Sequence, residues 1–106
     1  MMQSFETTDL IAQRAQSGKL YIEFLKVPAM SMGLYTLAAG ATDPQRPHNE
    51  DEAYYIVSGH GQIRVGDEDR AMQPGSIIYV AKRVPHKFHS ISEDMQILVF
   101  FAPQES

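Results

Sequence analysis

From Leu20 onward the sequence is a series of short β-branched and aromatic runs, each ended by glycine or proline. That punctuation predicts an all-β fold. Leu20–Val27 stops at Pro28, Met32–Ala38 stops before Gly40, and Glu52–Val57 runs into a Ser58-Gly-His-Gly61 turn. Gln62–Val65, a Gly66-Asp67 turn, Arg70–Met72, a Pro74-Gly75 break, Ser76–Val80, His86–Ile91 and Met95–Phe101 complete the series. Glycine supplies the positive φ that tight reversals require. About seven or eight strands at this spacing predict a sandwich or small barrel. Helical character is confined to the N-terminus, where Thr8 or Asp9 caps a short segment, Leu10–Gln16, that Gly18 ends.

The 106 residues suit one domain, residues 1–106, with an N-terminal segment over 1–18 and the strands over 19–102. A 43% hydrophobic content is ample for a packed core and too high for a disordered chain. Nine Lys plus Arg against thirteen Asp plus Glu leave a formal net charge of −4. That balance argues against nucleic-acid or anionic-membrane partners, whose phosphates need clustered cations. Lys82, Arg83 and Lys87 form the nearest basic cluster, and it is small. The N-terminus lacks a basic stretch followed by an apolar one, and the longest apolar run, Ile97–Ala102, is far below the ~20 residues of a membrane span. The expected location is the cytoplasm.

Tyr54-Tyr55-Ile56-Val57 and Ile97-Leu-Val-Phe-Phe101 are apolar at both parities, whereas a strand with one solvated face should alternate. Some outer surface is therefore covered, by the N-terminal segment or by a second copy of the chain. A homodimer is the expectation.

There is no cysteine, so thiolate zinc sites, iron–sulfur clusters and a cysteine nucleophile are excluded. Nucleophile-elbow, Walker A and H-E-x-x-H motifs are absent. Gly59-His-Gly-Gln-Ile-Arg64 begins like a dinucleotide fingerprint, but Arg64 replaces the third glycine and a strand follows. Any metal must be held by His and carboxylates. In a straight strand His48 and Glu52 would stand about 13 Å apart, so they can share an ion only if His48 bends back in the Pro-rich loop Gly40–Pro47 or a bulge intervenes. His86 shares strand parity with Phe88 and points inward, His89 shares it with Lys87 and points outward, and His60 sits in a Gly-His-Gly turn.

Gly40-x5-Arg46-x-His48-x3-Glu52-x6-Gly59 resembles the first motif of the cupin superfamily, G-x5-H-x-H-x3-4-E-x6-G, at every position except Arg46. Gly75-x5-Ala81-x-Arg83-x2-His86-x3-Ser90 has the spacing of the second motif and keeps its Gly and His, with Ala, Arg and Ser where Pro, Gly and Asn are usual. The resemblance implies a double-stranded β-helix, or jelly roll, with a short N-terminal helix. It also implies a divalent metal (Fe, Mn, Ni, Zn or Cu) held by His48, Glu52 and His86, on a segment that curves to converge on one ion. One ligand fewer than the family usually supplies remains, because Arg46 occupies the other position.

Arg46 either faces solvent or turns inward to clamp a substrate carboxylate. Parity with Glu52 puts Tyr54 and Ile56 in the interior, and parity with His86 puts Phe88 there; Met30, Met32, Tyr35 and Phe101 are further lining candidates. Arg46, Tyr54, Tyr35 and Phe88 are the expected substrate-binding residues. The implied function is a metal-binding cupin admitting a compact organic molecule, as a dioxygenase or isomerase that uses the metal as Lewis acid. The alternatives are a non-catalytic module binding a small carboxylate or sugar, and a dimerising accessory protein.

Overall fold

Six strands follow one helix in the computed structural model, which describes residues 2–106. They are α1 (Thr7–Ser17), β1 (Tyr21–Val27), β2 (Met30–Leu37), β3 (Asp51–Val65), β4 (Glu68–Met72), β5 (Ile77–Val80) and β6 (His86–Ala102). Gly18 ends α1 in the left-handed region (φ 72°), as the sequence predicts, but the N-cap is Glu6, whose side chain makes no capping bond. All pairings are antiparallel, in the order β1-β2-β6-β3-β4, with β5 also on β3.

Two predicted breaks turn out to be continuous strand. Ser58-Gly-His-Gly61 is not a turn: β3 runs through it, and the predicted strands His86–Ile91 and Met95–Phe101 merge into β6. β3 and β6 pair along their length, with the register slipping between Ile56 and Gln62. These irregularities bend a long ladder without ending it. Gly59 (φ 93°) is required on two counts, since a Cβ there would also lie 2.2 Å from the Asp94 carbonyl oxygen. On β6, next to the His89 that pairs with Gln62, Ser90 adopts φ 50°. Across its length β3 meets β5 at Glu52–Tyr55 and β4 at Gly61–Val65. The result is a double-stranded β-helix.

The interior is apolar. Tyr54, Ile56, Ile63, Phe88, Met95 and Ile97 are fully buried, each contributing on the order of 1.5–3 kcal/mol by leaving water. The parity assigned to Glu52, Tyr54 and Ile56, and to His86 and Phe88, is the observed one. Met30 and Met32 are on the opposite parity from Tyr35, and Met32 pairs with half-buried Phe100 on the outer face, so they do not line the interior. On that outer face α1 packs against β1 and β2, where Leu10 and Leu34 are buried outside the interior cluster. The N-terminal segment thus covers one part of the face. Tyr55, Ile77 and Tyr79, on β3 and β5, remain 38%, 73% and 63% exposed. Among the described residues no helix is long and apolar enough to cross a membrane.

Candidate metal centre

Three elements bring the histidines and Glu52 together. Glu52 is the second residue of β3, His86 the first of β6, and His48 lies in the loop before β3, bent back instead of extended. The His48 carbonyl accepts a hydrogen bond from the Arg83 N–H (2.7 Å), and Asp51 Oδ1 accepts one from the Lys82 N–H (2.9 Å). Arg83 takes a positive φ of 65° there. These two bonds tie the loop before β3 to the turn before β6, so the two motifs meet.

The same loop is anchored from inside by Asp43. This buried carboxylate accepts from the Tyr35 hydroxyl (2.6 Å), the Phe88 N–H (2.9 Å), and the N–H and Nε2 of Gln45 (3.1 and 2.8 Å). Gln45 Oε1 in turn accepts from the Tyr54 hydroxyl at 2.9 Å. Burial raises the pKa of both phenols, and the Asp43 carboxylate adds to the effect at Tyr35.

One donor atom from each of His48, Glu52 and His86 lies within 4.8 Å of the others. His86 Nδ1 donates to the Val84 carbonyl (2.9 Å), and His48 Nδ1 stands 3.2 Å from Glu105 Oε2 in an ion-pair contact. Both rings thereby turn their Nε2 atoms toward Glu52. His48 Nε2, His86 Nε2 and both Glu52 carboxylate oxygens are buried and have no hydrogen-bond partner. His86 Nε2 and Glu52 Oε1 are 2.7 Å apart, a close contact without hydrogen-bond alignment. Burial disfavours the His86 imidazolium, but Glu52 and the Val84 carbonyl outweigh it and raise its pKa. Bare converging donors of this kind, two nitrogens and a carboxylate, fit a divalent cation.

A cavity of about 280 Å³ opens beside His48, lined by Leu20, Tyr21, Tyr35, Pro44, Gln45, Val99, Phe101 and Glu105. A larger cavity, about 500 Å³ between His60, Gln62, Gln73 and Ser92, touches none of the centre's residues.

Of the expected substrate-binding residues, the structure brings only Tyr35 to the cavity by His48, and its hydroxyl is committed to Asp43. Tyr54 and Phe88 are fully buried, edge to face, with ring centroids 5.1 Å apart. Arg46 is exposed and makes no side-chain hydrogen bond or ion pair among the described residues, so it is not brought to the centre. His60 and His89 lie outside it, as parity predicts for His89; His60 is on β3, not in a turn.

Sequence reasoning missed Tyr21 and Glu105. The Tyr21 hydroxyl is buried without a partner, and burial, then Glu105, Glu23 and Glu52, raise its pKa. Its ring fits only because Gly33 has no side chain: a Cβ there would stand 2.1 Å from the phenol. Tyr21 pairs with Tyr35 across β1 and β2, a register that the two strands' apolar patterns do not set on their own. Glu105 lies beyond the last strand, where no periodic signal exists.

The fold and this cluster define a small β-helical protein with a His/His/Glu centre. The chain belongs to the cupin family, whose cupin domain model matches residues 33–101. It is 49% identical over 105 residues to the uncharacterised protein SCO3923 of Streptomyces coelicolor, covering 99% of this chain and 100% of that one. Among solved structures, TT1209 from Thermus thermophilus superposes with a TM-score of 0.78 at 25% identity, over 97% of this chain and 99% of that one. An RmlC-like cupin with a double-stranded β-helix fold from Methanocaldococcus jannaschii gives 0.71 at 19%, over 78% of each chain.

Proposed function

We propose that this chain binds one divalent metal ion through His48, Glu52 and His86, and that the cavity beside it admits a compact, largely apolar organic molecule. The observation that carries the reading is the set of bare, buried donor atoms on those three residues. Left empty, such a set costs free energy with no compensating bond. A bound ion would supply Lewis acidity, or activate dioxygen in the case of iron, which accommodates an isomerase or a dioxygenase. The chain's own part is to hold the donors in place and to wall the cavity with Leu20, Val99 and Phe101. Tyr21 offers the cavity a free hydroxyl that can orient an acceptor on the guest.

A non-catalytic binder is the second reading, favoured by the commitment of the Tyr35 and Tyr54 hydroxyls to Asp43 and Gln45, which removes two candidate proton-transfer groups. Metal analysis of cytoplasmically expressed protein purified without added ions, followed by a panel of small substrates, tests both. One ion per chain with turnover supports the enzyme, one ion with ligand-induced thermal stabilisation but no turnover supports the binder, and failure to take up any divalent ion removes the metal reading.

The open face of β3 and β5 around Tyr55, Ile77 and Tyr79 supports a homodimer as the working assembly. Light scattering after size exclusion should give twice the chain mass; a monomeric mass refutes it.

A further inference from the structure

Beyond β6 the chain is tied down beside His48, where Glu105 lines the cavity. The Gln104 N–H reaches the Pro28 carbonyl (3.5 Å), the Glu105 N–H donates to Ser31 Oγ (2.9 Å), and Ser106 Oγ donates to Glu50 Oε2 (3.1 Å). Ser31 and Glu50 are both buried, so two of these anchors lie inside the fold. Pro28 joins β1 to β2, Ser31 is in β2, and Glu50 directly precedes β3. Three separate parts of the chain therefore fix the tail at the point where Glu105 meets His48.

We infer that Glu105 is a positioning residue: its carboxylate holds the proton of His48 on Nδ1 and so directs the Nε2 lone pair at Glu52 and His86. The contact, Nδ1 to Oε2 at 3.2 Å, is on the side of the ring away from the bare Nε2. His48 needs such a restraint more than His86 does. His86 is in a strand and bonds a backbone carbonyl two residues away, whereas His48 lies in an irregular loop, and its backbone bond to Arg83 leaves the ring free to rotate. Phe101, edge-on to the His48 ring at 4.8 Å, confines its plane but cannot choose a tautomer. Only an acceptor at Nδ1 does that, and Glu105 Oε2, in ion-pair contact at 3.2 Å, is the carboxylate oxygen that Nδ1 faces.

An ion pair that merely stitched the C-terminus to the surface would predict something different: Glu105 could be removed with no effect on the far nitrogen. This inference deepens the metal reading, on which its consequence for affinity rests, but its tautomer claim stands apart from it. Long-range nitrogen–proton NMR of the metal-free protein at mildly alkaline pH reads the tautomer directly. His48 should be the Nδ1–H form in the parent chain and in Glu105→Gln, whose amide oxygen still accepts. It should lose that preference in Glu105→Ala. Zn²⁺ affinity should fall about 10–100-fold in Glu105→Ala and recover largely in Glu105→Gln. An unchanged His48 tautomer in Glu105→Ala overturns the inference and leaves the metal reading intact. If the parent chain takes up no Zn²⁺, the metal reading fails and the tautomer decides the role of Glu105 alone.

Discussion

The protein has four histidines and all four face a carboxylate: His48 meets Glu105, His86 meets Glu52, His60 meets Glu93 and His89 meets Asp69. Their surroundings divide them into two pairs. His89 has both ring nitrogens occupied, by Asp69 at 2.6 Å and Ser90 Oγ at 3.0 Å, and His60 is on the exposed side of β3. In the other pair Nε2 of each ring is bare, while Nδ1 of His86 donates to Val84 and Nδ1 of His48 stands beside Glu105. A carboxylate neighbour is thus not what distinguishes a site. An unsatisfied nitrogen inside the barrel is, because water cannot pair with it there.

The sharpest way to break this contrast is to exchange losses between the pairs. His86→Ala should weaken divalent-metal binding by more than about 100-fold, beyond the range for a residue that only supports a ligand. His89→Ala and His60→Ala should leave it unchanged in isothermal titration. Equal losses in both pairs would mean that burial does not select the site.

The carboxylates should divide in the same way. Asp43 accepts from four groups in the interior, so Asp43→Ala strands several buried donors and should cost on the order of 3 kcal/mol in urea unfolding. Asp69, which pairs Arg64 and His89 at the surface, should cost no more than about 1 kcal/mol when replaced by alanine.

The smallest effect is at alkaline pH. Tyr21, Tyr35 and Tyr54 have raised pKa values, burial being the main cause in each. An unfolded tyrosine loses its proton near pH ~10, while these keep theirs when folded, so above that pH the unfolded chain binds fewer protons. Their contribution to stability is therefore complete below pH ~10 and declines as pH rises further. Phenolate absorbance should show these three hydroxyls ionising together with unfolding, not before it.

Much of the fold was legible because strand alternation is a local property. Glu52, Tyr54 and Ile56 share one face, as do His86 and Phe88, whatever the strands pair with. Glycine was less readable, since it marks both a reversal and a close approach: Gly59 looked like a turn and is a bulge packed on Asp94. Met32 misled because a methionine suits either face. At the centre, it was the resemblance to the cupin motifs that named His48, Glu52 and His86 together, and the structure brings their donor atoms within 4.8 Å; of the residues expected to bind substrate, Tyr54 and Phe88 are packed in the core and Arg46 is exposed.

By itself the sequence determined an all-β chain without thiol chemistry, and which histidine of Pro85-His86-Lys-Phe-His89 points inward, since composition and two-residue periodicity need no partner strand. Tertiary structure alone decided that His48 bends back to meet Glu52, that Gly33 makes room for Tyr21, and that the tail sets Glu105 behind His48. Each of those depends on residues that are brought together by strand register and loop closure, and no local pattern in the chain records that pairing.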